Sequence, residues 1–215
     1  MDARLNFDDQ KTAQELLAAI RFFATQGWCP ATSTNHSARL SGTDRFLISR
    51  SGVDKSVFAA EDLVVVGADG KLALQAPGVK PSAETELHTA LYARFPEARC
   101  VLHTHSRLGT WLSRAHAEAG ALRFEGWEIL KGLAGNTTHA MTETLPIVSN
   151  SQHMPDILAG LEHAWAARPH GFLIAGHGLY TWGTSVAEAK RHVETWEFLF
   201  ELHATGSATW PSSIP

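Results

Sequence analysis

The chain has 215 residues, of which 44% are hydrophobic and 19% are charged, and its formal net charge is -4. This composition excludes an intrinsically disordered chain, and the negative charge without long lysine or arginine runs argues against a nucleic-acid-binding protein. No apolar stretch reaches the roughly 18 residues that cross a bilayer, and the N-terminus lacks a signal-peptide layout. We therefore expect a cytoplasmic protein without membrane contact, folded as one domain over residues 1–215.

Apolar periodicity predicts helices and strands interspersed along the chain. In chain order we predict a helix over 8–26, strands over 37–40, 46–49, 63–66 and 71–74, a helix over 83–95, a strand over 99–103, a helix over 108–118, strands over 145–148 and 171–175, and a helix over 184–204. The pair 63–66 and 71–74, joined by GADG, indicates a β-hairpin. Such an arrangement favours an α/β fold with a central sheet flanked by helices.

Polar residues indicate the starts of two predicted helices. Ser82 is a plausible N-cap of the helix over 83–95, and Ser185 with Glu188 forms a capping-box pattern before the last helix.

The two cysteines limit the kinds of metal site. Cys29 and Cys100 stand at unrelated positions, which supports neither a disulfide framework nor a cysteine zinc site. Any metal must therefore be bound through nitrogen and oxygen, and the chain has 12 histidines.

His103 and His105 stand two residues apart at the end of a predicted strand. Because strand side chains alternate between faces, both imidazoles point to the same side where the strand becomes a loop. His177 lies between two glycines after another predicted strand, a place where α/β sites are commonly built. Three histidines with an open fourth position are a ligand set of catalytic zinc. A structural or surface His pair and a solvent-facing turn histidine are the alternatives.

Two carboxylates could work beside such a site. Glu84 lies in the first turn of a predicted helix and could be a fourth ligand or an acid/base, or it could only complement the helix dipole. Glu128 stands between Trp127 and Ile129, where desolvation would raise its pKa towards a range useful for proton transfer. An exposed glutamate on a helix face is the alternative for Glu128.

Three separated segments are rich in small hydrogen-bond donors. They are residues 32–37 with Asn35, residues 49–52 with Ser51 and Gly52, and residues 80–82 with Lys80 and Ser82. Backbone amides in Gly/Ser turns, serine hydroxyls and a helix N-terminus are groups that bind a phosphate dianion, and Lys80 could add charge. Together with a metal site, they predict a small phosphorylated ligand.

A set of motifs resembles the class II aldolase and adducin family over nearly the whole chain. The set consists of Asn35, Ser51-Gly52, Pro81-Ser-Ala-Glu84, His103-Thr-His105 and Gly176-His177-Gly. The resemblance implies a three-layer α/β/α fold with a central, mainly antiparallel sheet. It also implies one zinc ion per subunit, held by His103, His105 and His177, and a homotetramer with active sites near subunit interfaces.

Within the family, longer strings are similar to members that dehydrate 5-methylthioribulose 1-phosphate to 5-methylthio-2,3-dioxopentyl phosphate in methionine salvage. These strings are GW-x-PAT-S, KPSAETELH, VLHTHS, EGWEILKGL and GHGLYTWG. The resemblance implies that Glu128 is the acid/base of dehydration, whereas a glutamate matching Glu84 transfers protons in aldolase members. Two residues depart from the family pattern: Thr34 stands in place of a glycine, and His36 in place of an apolar residue.

Two other functions stay open. A class II aldolase or 4-epimerase acting on another ketose phosphate would use Glu84 as its base, and an aldolase would release a three-carbon fragment. A non-catalytic interaction domain like the adducin head shares the fold. Such a domain has no need for three convergent histidines, so stoichiometric zinc would argue against it.

Overall fold

The computed structural model describes residues 5–73, 78–164 and 169–206. The α-helices of these segments are α1 (Phe7–Thr25), α2 (Thr85–Arg94), α3 (Arg107–Ala115), α4 (Met154–Ala164) and α5 (Val186–Gly206). The strands are β1 (His36–Arg39), β2 (Phe46–Ser49), β3 (Leu63–Val66), β4 (Cys100–Thr104), β5 (Ala121–Glu125), β6 (Thr142–Val148), β7 (Phe172–Ile174) and β8 (Gly178–Gly183).

These strands form one sheet in the order β3-β2-β1-β4-β8-β7-β6-β5. Neighbouring strands are antiparallel, except for β6 and β7, which are parallel. The prediction of a central, mainly antiparallel sheet is confirmed. The two strands at its centre, β4 and β8, pair with His103 opposite Tyr180 and Thr104 opposite Leu179.

Helices cover both faces of the sheet. Leu91 of α2 and Ile157 of α4 pack with Val101 of β4 on one face. On the other face, α1 and α5 pack against Cys100 and Leu102 of the same strand, and α3 joins α5 further along the sheet. The predicted three-layer α/β/α arrangement is confirmed. Because side chains alternate along β4, residue 103 belongs to the α2 face and residue 104 to the α5 face.

Most of the predicted elements are found within one to three residues of their expected bounds. The capping signal of α5 is also present, since Ser185 Oγ accepts a hydrogen bond from Glu188 N at 3.1 Å and the Glu188 carboxylate accepts one from Thr184 N at 2.7 Å. Among the α-helices and strands of the described segments, three were not predicted, namely β5, α4 and β8. Of these, β8 matters most for the site because it directly follows His177.

One local prediction is wrong: Glu84, not Ser82, takes the N-cap position of α2, and Ser82 Oγ accepts the amide of Glu84 at 3.3 Å. The predicted hairpin is present as far as its residues are described, with an antiparallel bridge between Val66 and Leu72 and a hydrogen bond from Ala73 N to the Val65 carbonyl oxygen at 2.9 Å. Leu74, the last residue of its second predicted strand, lies outside the described residues. Cys29 and Cys100 are both buried and unpaired, as expected. No helix in the described segments has the length and apolar character needed to span a membrane.

Candidate metal centre

Three histidine side chains meet where β4 ends and β8 begins. His105 Nε2 lies 2.7 Å from His103 Nε2, and His103 Nε2 lies 3.4 Å from His177 Nε2. One ligand nitrogen from each residue falls within 4.8 Å of the other two. Nitrogens bonded to one tetrahedral zinc at about 2.0–2.1 Å stand about 3.3 Å apart. The histidine triad, as we call these three residues, can therefore bind one metal ion.

The protonation of His103 and His105 suits metal binding. His103 Nδ1 donates a hydrogen bond to the Leu179 carbonyl oxygen at 2.9 Å, which leaves a lone pair on its Nε2. Burial holds the pKa of His103 well below its usual range and lowers the pKa of His105 to about 4. Both rings are thus neutral at neutral pH, the form in which imidazole coordinates a metal.

The glycines on either side of His177 explain how this residue reaches the triad. Gly176 has φ +66°, in the left-handed region that favours glycine. A Cβ atom on Gly178 would overlap the carbonyl oxygen of Thr104 and lie 3.0 Å from His105 Cδ2. Only glycine allows the start of β8 to come this close to the end of β4, and the close approach places His177 beside the other two histidines.

Glu84 lies directly beside the triad. Its Oε1 is 3.3 Å from His177 Nε2, and its Oε2 is 3.5 Å from His103 Nε2. Oε2 also accepts hydrogen bonds from Asn35 Nδ2 at 2.6 Å and from the Tyr180 hydroxyl at 2.7 Å. This position suits the two active roles considered for Glu84, a fourth metal ligand or an acid/base.

Asn35 connects several parts of the site. Its Oδ1 accepts a hydrogen bond from the Tyr180 hydroxyl at 3.2 Å and binds His88 Nε2, while its backbone carbonyl accepts His103 N at 3.1 Å. Burial lowers the pKa of His88 to about 3, so this ring is a neutral hydrogen-bonding group. Within the described segments, the Asn35 side chain, expected to bind phosphate, contacts Glu84, His88 and Tyr180.

Tyr180 is a site residue that the sequence reasoning missed. Its buried ring stacks on His103 with 4.0 Å between ring centroids, and burial raises the pKa of its hydroxyl well above the usual value. The residue escaped notice because the glycines of GHGLYTWG indicated a turn. The run of aromatic and β-branched residues between these glycines is the signal of a strand that could have revealed it.

Two of the three segments expected to bind phosphate come together in the structure. Ser51 N donates to the Lys80 carbonyl oxygen at 3.1 Å, and Arg50 forms a β-bridge with Pro81. Ser51, Gly52 and Lys80 are exposed, and Ser82 is half-buried two residues before Glu84. Residues from two distant parts of the sequence therefore meet at one surface next to the site.

The two departures from the family pattern contact each other. Thr34 has φ +69°, a conformation that favours glycine, which explains the glycine expected at this position. Thr34 Oγ1 lies 3.2 Å from Nε2 of the buried His36, and Cys29 Sγ lies 3.8 Å from the same nitrogen. Burial holds the pKa of His36 well below its usual range. Thr34, which stands in place of the family's glycine, thus forms a polar contact with the buried His36.

The expected environment of Glu128 is wrong for this chain. The Glu128 side chain is 69% exposed and pairs with Lys131, and His139 Nδ1 lies 3.8 Å from its other oxygen. The hydrogen bond from Lys131 lowers the pKa of Glu128, whereas desolvation was expected to raise it. Trp127 and Ile129 are 44% and 36% exposed and do not enclose the carboxylate. The described contacts of Glu128 do not include the triad.

Comparison with known proteins agrees with this geometry. Residues 14–204 match the family described as Class II Aldolase and Adducin N-terminal domain. A methylthioribulose-1-phosphate dehydratase from Picosynechococcus sp. is 46% identical over 198 residues, covering 92% of this chain and 93% of that protein. One from Stenotrophomonas maltophilia is 48% identical over 195 residues, covering 87% of each.

The solved structures support the same fold. An aldolase II superfamily protein from Pseudomonas syringae has a TM-score of 0.76 at 23% identity, covering 99% of this chain and 82% of that one. At this level of identity, the likeness speaks for the fold alone. With the matching family, the close relatives and the shared architecture, the chain belongs to the class II aldolase and adducin family.

Proposed function

We propose that this chain is a zinc-dependent hydro-lyase that dehydrates 5-methylthioribulose 1-phosphate to 5-methylthio-2,3-dioxopentyl phosphate in methionine salvage. One observation carries the proposal: a convergent histidine triad lies in a chain 46% identical to a dehydratase named for this substrate. His103, His105 and His177 would hold one zinc ion per subunit, because imidazole nitrogen suits zinc. When bound, zinc supplies Lewis-acid polarisation of the substrate C2 carbonyl.

Dehydration requires proton transfer at defined atoms. A base removes the C3 proton, the C4 hydroxyl leaves as water after receiving a proton, and the enol then takes up a proton at C4 and loses its C3 hydroxyl proton to become the second ketone. We assign removal of the C3 proton to Glu128. Glu84, held by Asn35 and Tyr180 beside the triad, is assigned to proton transfer on the oxygen side of the substrate.

Glu128 can take this role if a neighbouring subunit covers it. Trp127, Ile129 and Phe198 expose apolar surface around Glu128 and line a groove of about 640 Å³ with it. Contiguous apolar surface of this kind commonly marks a protein interface. We propose a homotetramer in which Glu128 reaches the triad of a neighbouring subunit, where burial would raise its pKa towards the range of an acid/base.

The phosphate group of the substrate is assigned to the surface where residues 50–52 meet residues 80–82. The backbone around Ser51 and Gly52, the Ser82 hydroxyl and the ammonium of Lys80 offer donors and charge for a dianion. The exposure of Ser51, Gly52 and Lys80 supports this assignment, because the substrate can reach them without displacing core residues. Asn35 is assigned to the same substrate-binding set, and its amide also orients Glu84.

A class II aldolase or 4-epimerase is the alternative function. The observation that favours it is the position of Glu84, which is the carboxylate beside the triad within a single chain. An aldolase would break the C3–C4 bond, whereas a dehydratase keeps every carbon in one product.

Incubation of zinc-loaded protein with 5-methylthioribulose 1-phosphate, followed by mass spectrometry, tests the proposal. We expect a single diketone phosphate that has lost one water. A three-carbon phosphate fragment would establish the aldolase alternative. Elemental analysis of the same sample should give one zinc per chain, and a preparation that binds no zinc would favour a non-catalytic domain like the adducin head.

A further inference from the structure

Glu197 of α5 lies beneath the triad, on the opposite face of β4. Its side chain is buried, with the residue 3% exposed. Oε1 of Glu197 accepts a hydrogen bond from Thr104 Oγ1 at 3.1 Å, and the nearby Ser106 hydroxyl lowers the pKa of the same carboxyl. Thr104 and Ser106 are the two residues that flank His105. One buried carboxyl thus interacts with both chain neighbours of a triad residue.

A buried carboxyl at this position is energetically unfavourable if its only role is to fill space in the core. Burial raises the pKa of Glu197 to about 7, and within the described segments no lysine, arginine or histidine forms an ion pair with it. Its helix neighbours Trp196, Leu199 and Phe200 are all fully buried in an apolar cluster. An apolar side chain would fill such a space without desolvating a carboxyl.

His105 needs an anchor that His103 does not need. His103 lies within β4, paired with Tyr180, and its ring is fixed by the Leu179 carbonyl. His105 follows the end of the strand, where its backbone amide donates to the Trp28 carbonyl oxygen at 2.8 Å. In the described segments, the hydrogen bond and the aromatic contacts of the His105 ring are with the other two triad residues. Its position therefore depends on how the short turn around it is held.

Ser106 ties the same turn to a further element. Its Oγ accepts the amide of Gly109 at 3.0 Å and so caps α3. Through Thr104 and Ser106, Glu197 links the end of β4 and the start of α3 to α5. The turn that carries His105 is thereby held from the face opposite to the metal site.

We propose that Glu197 is a positioning residue of the metal centre, which sets the place of His105 through Thr104 and Ser106 and so sets the metal affinity. The inference rests on the proposed function insofar as that function requires the triad to bind a metal. Outer-shell partners of this kind typically change metal affinity by about 10- to 100-fold when they are removed.

Cobalt binding to metal-free protein tests this role without any turnover assay. We expect Glu197→Leu to weaken Co²⁺ affinity by about 10- to 100-fold and to change the visible absorption of bound cobalt. Glu197→Gln keeps an acceptor oxygen for Thr104 and should lie closer to wild type. Thr104→Val, nearly isosteric, removes one donor and should weaken binding in the same direction.

Glu143 provides the matched control. It is also a buried carboxyl, bound to Asn136 Nδ2 at 2.7 Å and to His170 Nδ1 at 3.1 Å, and it has no described contact with the triad. Glu143→Leu should lower the free energy of unfolding in urea while leaving Co²⁺ affinity at the wild-type value. An equal loss of affinity in the control would overturn the positioning role, because general destabilisation would then explain both variants.

The outcomes separate this inference from the proposed function. Wild-type protein that binds no Co²⁺ would overturn both. Wild-type protein that binds Co²⁺, with unchanged affinity in the Glu197 variants and in Thr104→Val, would overturn the positioning role alone. If Glu197→Leu does not fold, Glu197→Gln and Thr104→Val decide: weakened binding in Thr104→Val supports the role, and wild-type binding in both overturns it.

Discussion

The triad and the segment around Glu128 differ in burial and in contacts within a single chain. Around the triad, buried residues lie on or next to the central strands and hydrogen-bond to one another or to Glu84. They are His103, Tyr180 and Asn35. Glu128 lies on a short 3-10 helix with most of its side chain exposed. A single chain therefore forms what we call the metal-binding half of the site, namely the triad with Glu84, Asn35 and Tyr180. The carboxylate assigned to the C3 proton, that of Glu128, lies outside that half.

Removal of a triad histidine should have the largest effect. We expect His103→Ala to lose tight zinc binding and to lower kcat/KM by at least about 1,000-fold, because Lewis-acid stabilisation is worth several kcal/mol. Elemental analysis and steady-state kinetics measure both quantities. Chelation of wild-type zinc should produce the same loss, reversible on zinc addition. Dehydration that persists in chelated protein would contradict the metal assignment.

Glu128→Gln should keep zinc and lower kcat by about 100- to 10,000-fold. Mixed assemblies then show where Glu128 acts. If it serves a neighbouring triad, subunits carrying Glu128→Gln and subunits carrying His103→Ala each lack a different group, and their hybrids contain some intact sites. Activity should therefore return on mixing and exchange of subunits.

Two observations would contradict this role of Glu128. Hybrids that stay inactive after confirmed subunit exchange would place Glu128 at the triad of its own chain. Wild-type turnover in Glu128→Gln would remove Glu128 from the mechanism and leave Glu84 as the base. The zinc content of each variant is the control, since both readings assume that Glu128→Gln keeps its metal.

Tyr180→Phe should have a moderate effect on the metal-binding half. The variant removes a 2.7 Å hydrogen bond to the Glu84 carboxylate, and a hydrogen bond to a charged group contributes about 1.5–3 kcal/mol. We expect kcat to fall by about 10-fold or more. Tyr92→Phe is the control, because the Tyr92 hydroxyl binds Ser37 at 2.8 Å and not Glu84. Equal losses in the two variants would mean that Glu84 is not the target.

Substitutions of Thr34 and His36 should have the smallest effect. We expect it as a coupling between the two substitutions in the free energy of unfolding. Thr34→Gly relieves a left-handed backbone but removes one polar contact of His36, and His36→Val removes the contact of the Thr34 hydroxyl with the imidazole. We expect the two changes to be non-additive by about 0.5–1.5 kcal/mol in the free energy of unfolding, as for residues in contact. Urea denaturation of both single variants and the double variant gives this value, and additivity would show that the residues act independently.

The metal-binding half was largely predictable from the sequence, because its signals are local. Two histidines with a period of two at the end of an apolar strand must share a side, and flanking glycines indicated a special backbone at His177. Tyr180 was missed because glycines suggested a turn where close packing against Thr104 requires them within a strand. The partners of Asn35 and Glu84 come from distant parts of the chain, which no local pattern relates.

The exposure of Glu128 could not be predicted, because it depends on the direction in which its neighbours face. Its neighbours Trp127 and Ile129 are apolar, but sequence cannot say whether apolar neighbours face the core of their own chain or its surface. In the structure they face outwards, and Leu130 alone of this stretch is fully buried. The apolar pattern that suggested a raised pKa is here a property of the surface.

The close approach at Gly178 limits how this scaffold can be redesigned. A library that varies residues 176–178 would separate β8 from β4 before it altered the chemistry, since any side chain at Gly178 meets the Thr104 carbonyl. Residues 30–33 lie outside that contact and are exposed or half-buried. Selection for new ketose substrates should therefore keep the glycine-flanked histidine constant and vary residues 30–33 instead.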